Sequence, residues 1–386
     1  MTTYETIYVG LLAVFTVWYA ISLFAMFVGL FRIPRCVSRR KHILTVVIAA
    51  HNEEQHIERC LQAVAAQDYP RESYEVIIAD DRSTDRTPAI IRDFCAKHPN
   101  FSSVRIEPGE QGAIPKKTAL IRAIQTARGD IIVSTDADCV QPAGWLSSIN
   151  ASFGERVGMV VGHTRYHRPK NVWAGIDAID YLSHRALGVA FIGIGSAYTC
   201  TASNFAYRKE IFDAVHEDFS RLKVRPAEDN YLLNCVHKRT PYTFAVATDP
   251  DSIVTTHGAA GFRDFMHQRF RWGPYGGNIV TLGVRLFFIP ALLYYCLVWI
   301  GLFSSMFSTT VLMIVLLSVG IKICMDFLFM WKAASLYDCR YLLAYFLPEF
   351  ITNLILTIPI MIRGNFFTFT WKEKQYNITQ EIKDNQ

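Results

Sequence analysis

Charge is what this chain is short of. Only 19% of its 386 residues are Asp, Glu, Lys or Arg, and 51% are hydrophobic. A soluble domain carries about 25% charged residues. The shortage is concentrated at the two ends. Thr6 to Phe31 has no charged residue, nor has Leu286 to Ile321, and Tyr341 to Ile362 has Glu349 alone. A membrane helix needs about 20 consecutive apolar residues. The first stretch therefore predicts one span. The second, 36 residues long, predicts two spans joined at the polar break "SSMFS", Ser304 to Ser308. The third predicts one more. A buried soluble helix explains a shorter apolar run, but not that one.

Other absences narrow the function. There is no Walker A sequence and no GxGxxG, which leaves P-loop ATPases and dinucleotide-binding proteins without support. There is no CxxC among the nine cysteines. They read as small buried hydrophobes, not as disulfides or zinc ligands. No basic-aromatic pattern points to a nucleic acid. The net charge of +5 is modest and suits an anionic membrane face. The first residues carry no positive charge and no small-residue cleavage site follows, so a signal peptide is not expected.

The basic segment "RIPRCVSRRKH", Arg32 to His42, follows the first apolar stretch. The positive-inside rule places it in the cytoplasm. The expected arrangement is a multi-pass protein of the cell membrane whose large central part is cytoplasmic. Lys322, Lys332 and Arg340 are then expected on the inner side, between the third and fourth spans. The domain boundaries expected are an anchor at 1–32, a cytoplasmic domain at 33–260 and an interfacial amphipathic segment at 261–283. About three spans at 284–363 and a tail at 364–386 follow.

The cytoplasmic part alternates between strand and helix signals. "ILTVVIA" (Ile43 to Ala49), "YEVIIAD" (Tyr74 to Asp80), "DIIVS" (Asp130 to Ser134) and "GMVVGH" (Gly158 to His163) read as strands. Helices are expected near Ile57 to Ala66, Pro88 to His98 and Lys116 to Ala127. Continuous Val/Ile runs mark strands covered on both faces, hence an α/β domain with a mostly parallel sheet. Ligands of such sheets bind beyond the carboxyl ends of the strands. Three polar clusters stand there: "AAHNEE" (Ala49 to Glu54), "DDRSTDRT" (Asp80 to Thr87) and "TDAD" (Thr135 to Asp138). One Asp after a strand is ordinarily a turn or a helix cap. Three clusters at one edge point to a ligand. Asp136 and Asp138, one residue apart, repel each other unless a cation lies between them. A hard divalent ion, Mg2+ or Mn2+, fits such oxygen ligands together with substrate phosphates.

Several segments occur in an order that resembles the family 2 glycosyltransferases. They are "VVIAAHNEE", "VIIADDRSTDRT", "PKKTAL", "VSTDADC", "SNFAYRKEIF", "AEDNYLL" and "QRFRW". The resemblance covers roughly Ile43 to Trp272. With a span before and about three after, the chain resembles the membrane-bound branch, which includes ceramide glucosyltransferases and the poly-N-acetylglucosamine, hyaluronan and cellulose synthases. The resemblance implies a GT-A fold for the 33–260 domain. It also implies inverting transfer from a nucleotide-diphosphate sugar.

It further implies roles for single residues. Ala49, His51 and Glu53 would line the nucleotide, and Asp81 would hydrogen-bond the base. Lys116 would sit near the donor, although a lysine at a helix start is also an ordinary solvated side chain. Asp136 would reach ribose and metal, and Asp138 would bind the metal. Arg82 stands where the family usually has glycine in "DDGS", and His51 where tyrosine is common. Inverting transfer needs a carboxylate to take the acceptor's proton. Asp229 is the candidate base and Glu228 its orienting neighbour, in a stretch that resembles the family's "TED". A cap at the start of a helix is the plainer reading of that pair.

Gln268, Arg271 and Trp272 match Q-x-x-R-W. A membrane-interface helix accounts for the same segment, and both readings hold together. Arg271 suits a diphosphate and Trp272 an acceptor. His257 of "TTHG" is either a further metal ligand or structural. Ala186 to Cys200, too short to span, is either an apolar core segment or a re-entrant piece. Ser203 and Asn204 are candidates on the acceptor side. The expected partners are a nucleotide-sugar donor, the lipid bilayer, and either a membrane lipid or a growing glycan as acceptor, with no nucleic acid. Single transfer to a lipid, processive polysaccharide synthesis and a non-catalytic membrane subunit remain as readings.

Overall fold

A computed structural model of the chain describes residues 2–107, 117–221, 228–272, 282–366, 369–371 and 374–376. At 220, 221, 228, 271, 272 and from 364 onward it describes the backbone alone. The chain forms two units. One takes Ile33–Arg168 and Thr199–Gly258; the other takes Pro169–Tyr198 with the described residues before Ile33 and those from Ala259 to Tyr376.

The first unit is built on a seven-stranded sheet. Its strands are β1 (Leu44–Ala50), β2 (Tyr74–Asp81), β3 (Phe101–Ile106), β4 (Ile131–Asp136), β5 (Val157–Val161), β7 (Phe205–Arg208) and β8 (Thr243–Val246). Their order is β3-β2-β1-β4-β7-β5-β8. β3, β2, β1 and β4 run parallel, β7 runs against β4 and β5, and β8 is parallel to β5. β6 (His163–Tyr166) and β9 (Ile253–Thr256) form a separate parallel pair. This is the GT-A fold.

Strands β1, β2, β4 and β5 are buried on both faces, and alternate residues point to each face. Leu44, Val46 and Ile48 share one core with Val76, Ile78, Ile131 and Val133. Helices α2 (Ile57–Ala65) and α5 (Trp145–Ala151) supply Ile57, Cys60, Leu61 and Val64, and Trp145, Leu146 and Ile149, to that core. The α2 residues recur at i, i+3, i+4 and i+7, the spacing of one helix face. Burying a Val, Leu or Ile side chain contributes roughly 1.5–3 kcal/mol. Helices α3 (Thr87–Cys95), α4 (Lys117–Thr126), α7 (Lys209–Arg221) and α8 (Glu228–Arg239) complete the unit. The expected strands and helices are present. β3 (FSSVRI), β8 (TFAV) and β9 (IVTT) had no separate sequence signal, because none carries a continuous run of Val and Ile like those of β1, β2, β4 and β5.

The second unit is helical. α1 (Thr3–Gly29), α10 (Leu282–Ser304), α11 (Thr309–Leu336) and the segment Arg340–Arg363, which holds most of α12 (Phe346–Phe366), are each long and apolar enough to cross a membrane. The break expected at Ser304 to Ser308 lies between α10 and α11. Val14, Ile21 and Phe24 of α1, and Met313, Leu316 and Leu317 of α11, are exposed. A lipid environment accounts for exposed apolar faces of that kind. Short strands β10 (Phe369–Trp371) and β11 (Lys374–Tyr376) pair antiparallel near the end of the chain.

One expectation about this unit is corrected. Lys322 is not in a loop on the inner side. It lies inside α11, 3% exposed, ion-paired with Asp326 one turn on. Its Nζ donates to the Tyr19 hydroxyl at 3.0 Å, and that hydroxyl donates to Asp326 Oδ1 at 2.5 Å. A cation neutralised this way can stay inside an apolar bundle, so it no longer counts toward sidedness. The stretch from Ala186 is an apolar core segment, with Ala186, Val189, Ala190, Phe191 and Ile192 buried. Ala186 to Gly193 forms the last two turns of α6 (Val172–Gly193). Asn171 caps α6, accepting the Ala174 N–H at 2.8 Å. Asp177, Asp180, His184 and Arg185 interrupt its apolar pattern, which hid the helix. α6 belongs to the helical unit although its numbers fall within 33–260.

Candidate active site

Register gathers the three polar clusters. Ala49 on β1 is level with Ala79 on β2 and with Asp136 on β4; Ala50 is level with Asp80. The loops after β1 and β2 are laced together. Asn52 takes φ of 54°, which Asn tolerates. Its N–H donates to Ser83 Oγ at 3.0 Å, and its side-chain oxygen accepts the Thr84 N–H at 2.9 Å. The Glu53 N–H reaches Thr87 Oγ1 at 2.8 Å, and the Glu54 N–H reaches Asp85 Oδ2 at 3.1 Å. Burial raises the Asp85 carboxyl, but bonds from Thr87 and Glu54 outweigh it and hold it below its ordinary range. His51 Nδ1 bonds the Asp81 carbonyl oxygen. His51 and Asp81 are thus brought together, and Glu53 lies beside them in the chain.

Arg82 takes φ of 59°. The left-handed conformation costs a residue with a side chain about 1–2 kcal/mol. That explains the family's usual glycine at this place. Here the arginine turns back on its neighbour: Nε donates to Asp81 Oδ1 at 2.9 Å, with Nη2 at 2.7 Å. Asp80 is buried, accepting the Ser83 N–H at 3.2 Å, with Arg105 Nη1 at 3.5 Å.

Asp136 ends β4, and Asp138 follows in a tight turn closed by the Cys139 N–H donating to the Asp136 carbonyl at 3.1 Å. Both carboxylates are half-buried. Burial holds the Cys139 thiol well above its ordinary range, and the charges of Asp138 and Asp136 push the same way. Burial likewise pushes Cys60 up to about 12. Hard cations such as Mg2+ and Mn2+ prefer oxygen to sulfur ligands, so the carboxylate oxygens are the donors on offer here. Two such oxygens fit a hard cation whose other positions go to phosphate and water. Among the described residues, no three His, Cys, Asp or Glu side chains gather into a set that could hold a metal by themselves. Val140 and Thr255 form an antiparallel bridge, so the chain runs from there toward Asp138 on one side and toward His257 on the other. His257 is not alone. Its Nε2 accepts from Arg59 Nη2 at 2.8 Å, and its ring lies 5.2 Å from His56 and 4.8 Å from His167.

Lys116 lies outside the described residues. The next lysine, Lys117, is 2% exposed, with its Nζ 4.8 Å above the Phe219 ring; burial lowers its pKa. Asn204 is placed in the interior. It accepts from Trp145 Nε1 at 3.0 Å and donates to the carbonyls of His163 at 2.7 Å and Ser252 at 2.8 Å. Its NH2 group thereby ties the start of β7 to β6 and to the turn ending at Ser252. Gly162 gives it room, since a Cβ there would lie 2.4 Å from the Asn204 amide. The Ser203 hydroxyl, also buried, meets Thr164 at 2.9 Å and Thr201 at 2.8 Å.

Glu228 and Asp229 open α8, as expected. Asp229 Oδ1 accepts the Asn230 N–H at 2.7 Å, and Asn230 Oδ1 accepts the Cys200 N–H at 3.3 Å. The Glu228 side chain lies outside the described residues. In the second unit, Gln268 is half-buried on α9 (Phe262–Trp272). Arg271 and Trp272 close that helix, their side chains outside the described residues.

Residues 45–215 match the family described as Glycosyl transferase family 2. Over 231 residues the chain is 32% identical to glycosyltransferase AglE of Haloferax volcanii, covering 60% of this chain and 71% of that protein. It is 23% identical over 277 residues to the dolichyl N-acetyl-alpha-D-glucosaminyl phosphate 3-beta-D-2,3-diacetamido-2,3-dideoxy-beta-D-glucuronosyltransferase of Methanococcus voltae, covering 69% of this chain and 79% of that protein. Among solved structures, the mannosyltransferase PcManGT from Pyrobaculum calidifontis, in complex with GDP-Man and Mn2+, aligns with a TM-score of 0.56 at 20% identity. It covers 89% of this chain and 99% of that one.

Proposed function

Because this chain belongs to glycosyltransferase family 2, we propose that it moves one sugar, with inversion, from a nucleotide-diphosphate donor to a hydroxyl of a membrane lipid. The observation that carries the reading is the register of β1, β2 and β4. It places His51, Asp81 and the Asp136–Asp138 pair at one sheet edge, in a chain with four helices able to cross a membrane. The relative from Methanococcus voltae, named for action on a dolichyl-linked phosphate, supports a lipid acceptor.

In this reading the β1 and β2 loops hold the nucleotide, with Asp81 toward the base. Asp136 and Asp138 would hold Mg2+ or Mn2+, which would neutralise charge on the departing diphosphate. Asp229 takes the proton of the acceptor hydroxyl. That oxygen bonds the anomeric carbon as the bond to the diphosphate breaks, and inversion follows from attack on the opposite face. Gln268, Arg271 and Trp272 are proposed to serve the same transfer. The site works in the cytoplasm at the cell membrane, a sidedness that rests on Arg32 to His42.

The test uses purified full-length protein, a panel of nucleotide sugars and a lipid extract, with mass spectra of both products. One donor is expected to be consumed and one lipid to gain a single sugar mass. Chelation should stop the reaction and Mn2+ or Mg2+ restore it, while Asp138→Asn stays inactive with added metal. Full activity in excess chelator overturns the metal assignment. A ladder of sugar masses replaces single transfer by processive synthesis.

A further inference from the structure

Q-x-x-R-W leaves Arg269 as an unspecified position, yet it is a buried arginine of α9. Its side chain is 7% exposed, and its partners Asp177 and Asp180 on α6 are 0% and 3% exposed. The guanidinium divides its donors. Nη2 donates to Asp177 Oδ1 at 2.9 Å and pairs with Asp180 Oδ2. Nη1 donates to Gln268 Oε1 at 2.9 Å. The plane lies 4.5 Å from the Phe265 ring on the preceding turn. We propose that Arg269 is a positioning residue, which sets the orientation of Gln268 by locking it to the carboxylate pair of α6. The proposal rests on the transferase reading, in which Gln268 serves the reaction.

Three observations converge on it. First, Asp177 and Asp180 are three apart on one helix and would repel each other without a cation. Burial pushes both carboxyls up. At Asp180 Arg269 and His184 outweigh it and the net direction is down, whereas at Asp177 burial wins. Second, Asp177 holds both α9, through Arg269, and the chain leading into it. Its Oδ2 accepts the Ala259 N–H at 2.7 Å, three residues before α9 begins. Third, the anchor extends into a spanning helix. Asn353 of α12 donates to Asp180 Oδ1 at 3.3 Å and to Glu349 Oε1 at 2.5 Å. The rotation of α9 about its axis is thereby set by α6, and α6 is tied to α12.

The chemistry distinguishes positioning from bulk stability. With its oxygen on Nη1, the Gln268 amide turns its NH2 end away from Arg269. A lysine at 269 can neutralise the carboxylates. It has no planar fork to reach Gln268 and α6 at fixed angles. Misplacement of a reacting group by about 1 Å can cost 10²-fold in rate.

The experiment compares Arg269→Lys, Arg269→Gln, and Arg269→Gln combined with Asp177→Asn and Asp180→Asn. Each is full-length, in lipid vesicles. Melting temperature, kcat and donor KM are measured with the donor and lipid that the wild type uses. Arg269→Lys is expected to melt near the wild type while kcat falls about 10²-fold and donor KM holds. Arg269→Gln is expected to melt lower. The triple variant, with no stranded carboxylates, should recover melting but not kcat. Normal kcat in Arg269→Lys overturns the proposal. So does a triple variant whose kcat returns along with its melting temperature, because that is what a purely structural role produces. A wild type that consumes no nucleotide sugar overturns the transferase reading itself, and this proposal falls with it.

Discussion

At Asp229 two physical roles meet in one side chain. It is the second residue of α8, where a carboxylate is favoured by the helix dipole. Its Oδ1 accepts the Asn230 N–H, which is cap-like behaviour. A carboxylate has about four lone-pair sites, and accepting an N–H does not remove its basicity, so capping and the proposed base role are compatible. Asp229→Asn nearly preserves shape and the bond to Asn230. Turnover is expected to fall by roughly 10² to 10⁴, the range for a positioned acid-base group, with donor affinity unchanged. Glu228→Gln is expected to do less damage. Steady-state kinetics on both variants checks this, and normal turnover in Asp229→Asn places the base elsewhere. Arg82 shows the same doubling in a different way. It fills a glycine's backbone conformation and spends its charge on Asp81, the residue proposed to meet the base.

Among the elements, α11 departs furthest from its sequence pattern. Its charges sit one turn apart inside a span and are closed over by Tyr19 from α1. The rings of Tyr19, Tyr295 and Phe350 stand 4.6, 5.2 and 5.1 Å from Lys322 Nζ. Removing one partner of a buried pair strands the other, at roughly 3–5 kcal/mol. Lys322→Met is therefore expected to lower stability by about that amount. Lys322→Met with Asp326→Leu should recover most of it, since neither charge is left alone. Thermal unfolding in detergent separates the two outcomes. If the single and double variants melt alike, the pair is not what holds α1 to α11. Where α1 meets α6, small residues matter more than charge. A Cβ on Gly193 would lie 2.0 Å from the Gly29 carbonyl oxygen, so these backbones touch where glycine alone fits.

For the molecule as a whole, the proposed sidedness now depends on fewer charges. With Lys322 inside α11, Lys332 also in α11 four residues before its end and Arg340 at the start of the next span candidate, the remaining argument is Arg32 to His42. A reporter fused after Arg40 is expected on the cytoplasmic side, and one at the N-terminus on the outer side. An outer signal from the first fusion would separate the sugar-transfer unit from the cytoplasmic nucleotide sugars, and the proposed localisation would fail.

Local pattern determined much of this protein. Strands such as Leu44–Ala50, the helix face of Ile57, Cys60, Leu61 and Val64, and the breaks between spans are short-range signals that hydrophobic spacing reveals. The edge that collects His51, Asp81 and Asp136 follows from parallel pairing of strands whose ends were already visible. What the tertiary structure alone decided are the long-range polar contacts. Arg269 finds Asp177 across 92 residues, and Tyr19 finds Asp326 across 307. Trp145 and Ser252 close on Asn204 from either side of it in the chain. Hydrogen bonds and ion pairs depend on distance and angle in three dimensions. A sequence reports only the chemical type of each partner, so a buried clamp such as Asn204 and a substrate ligand look alike until the fold places them.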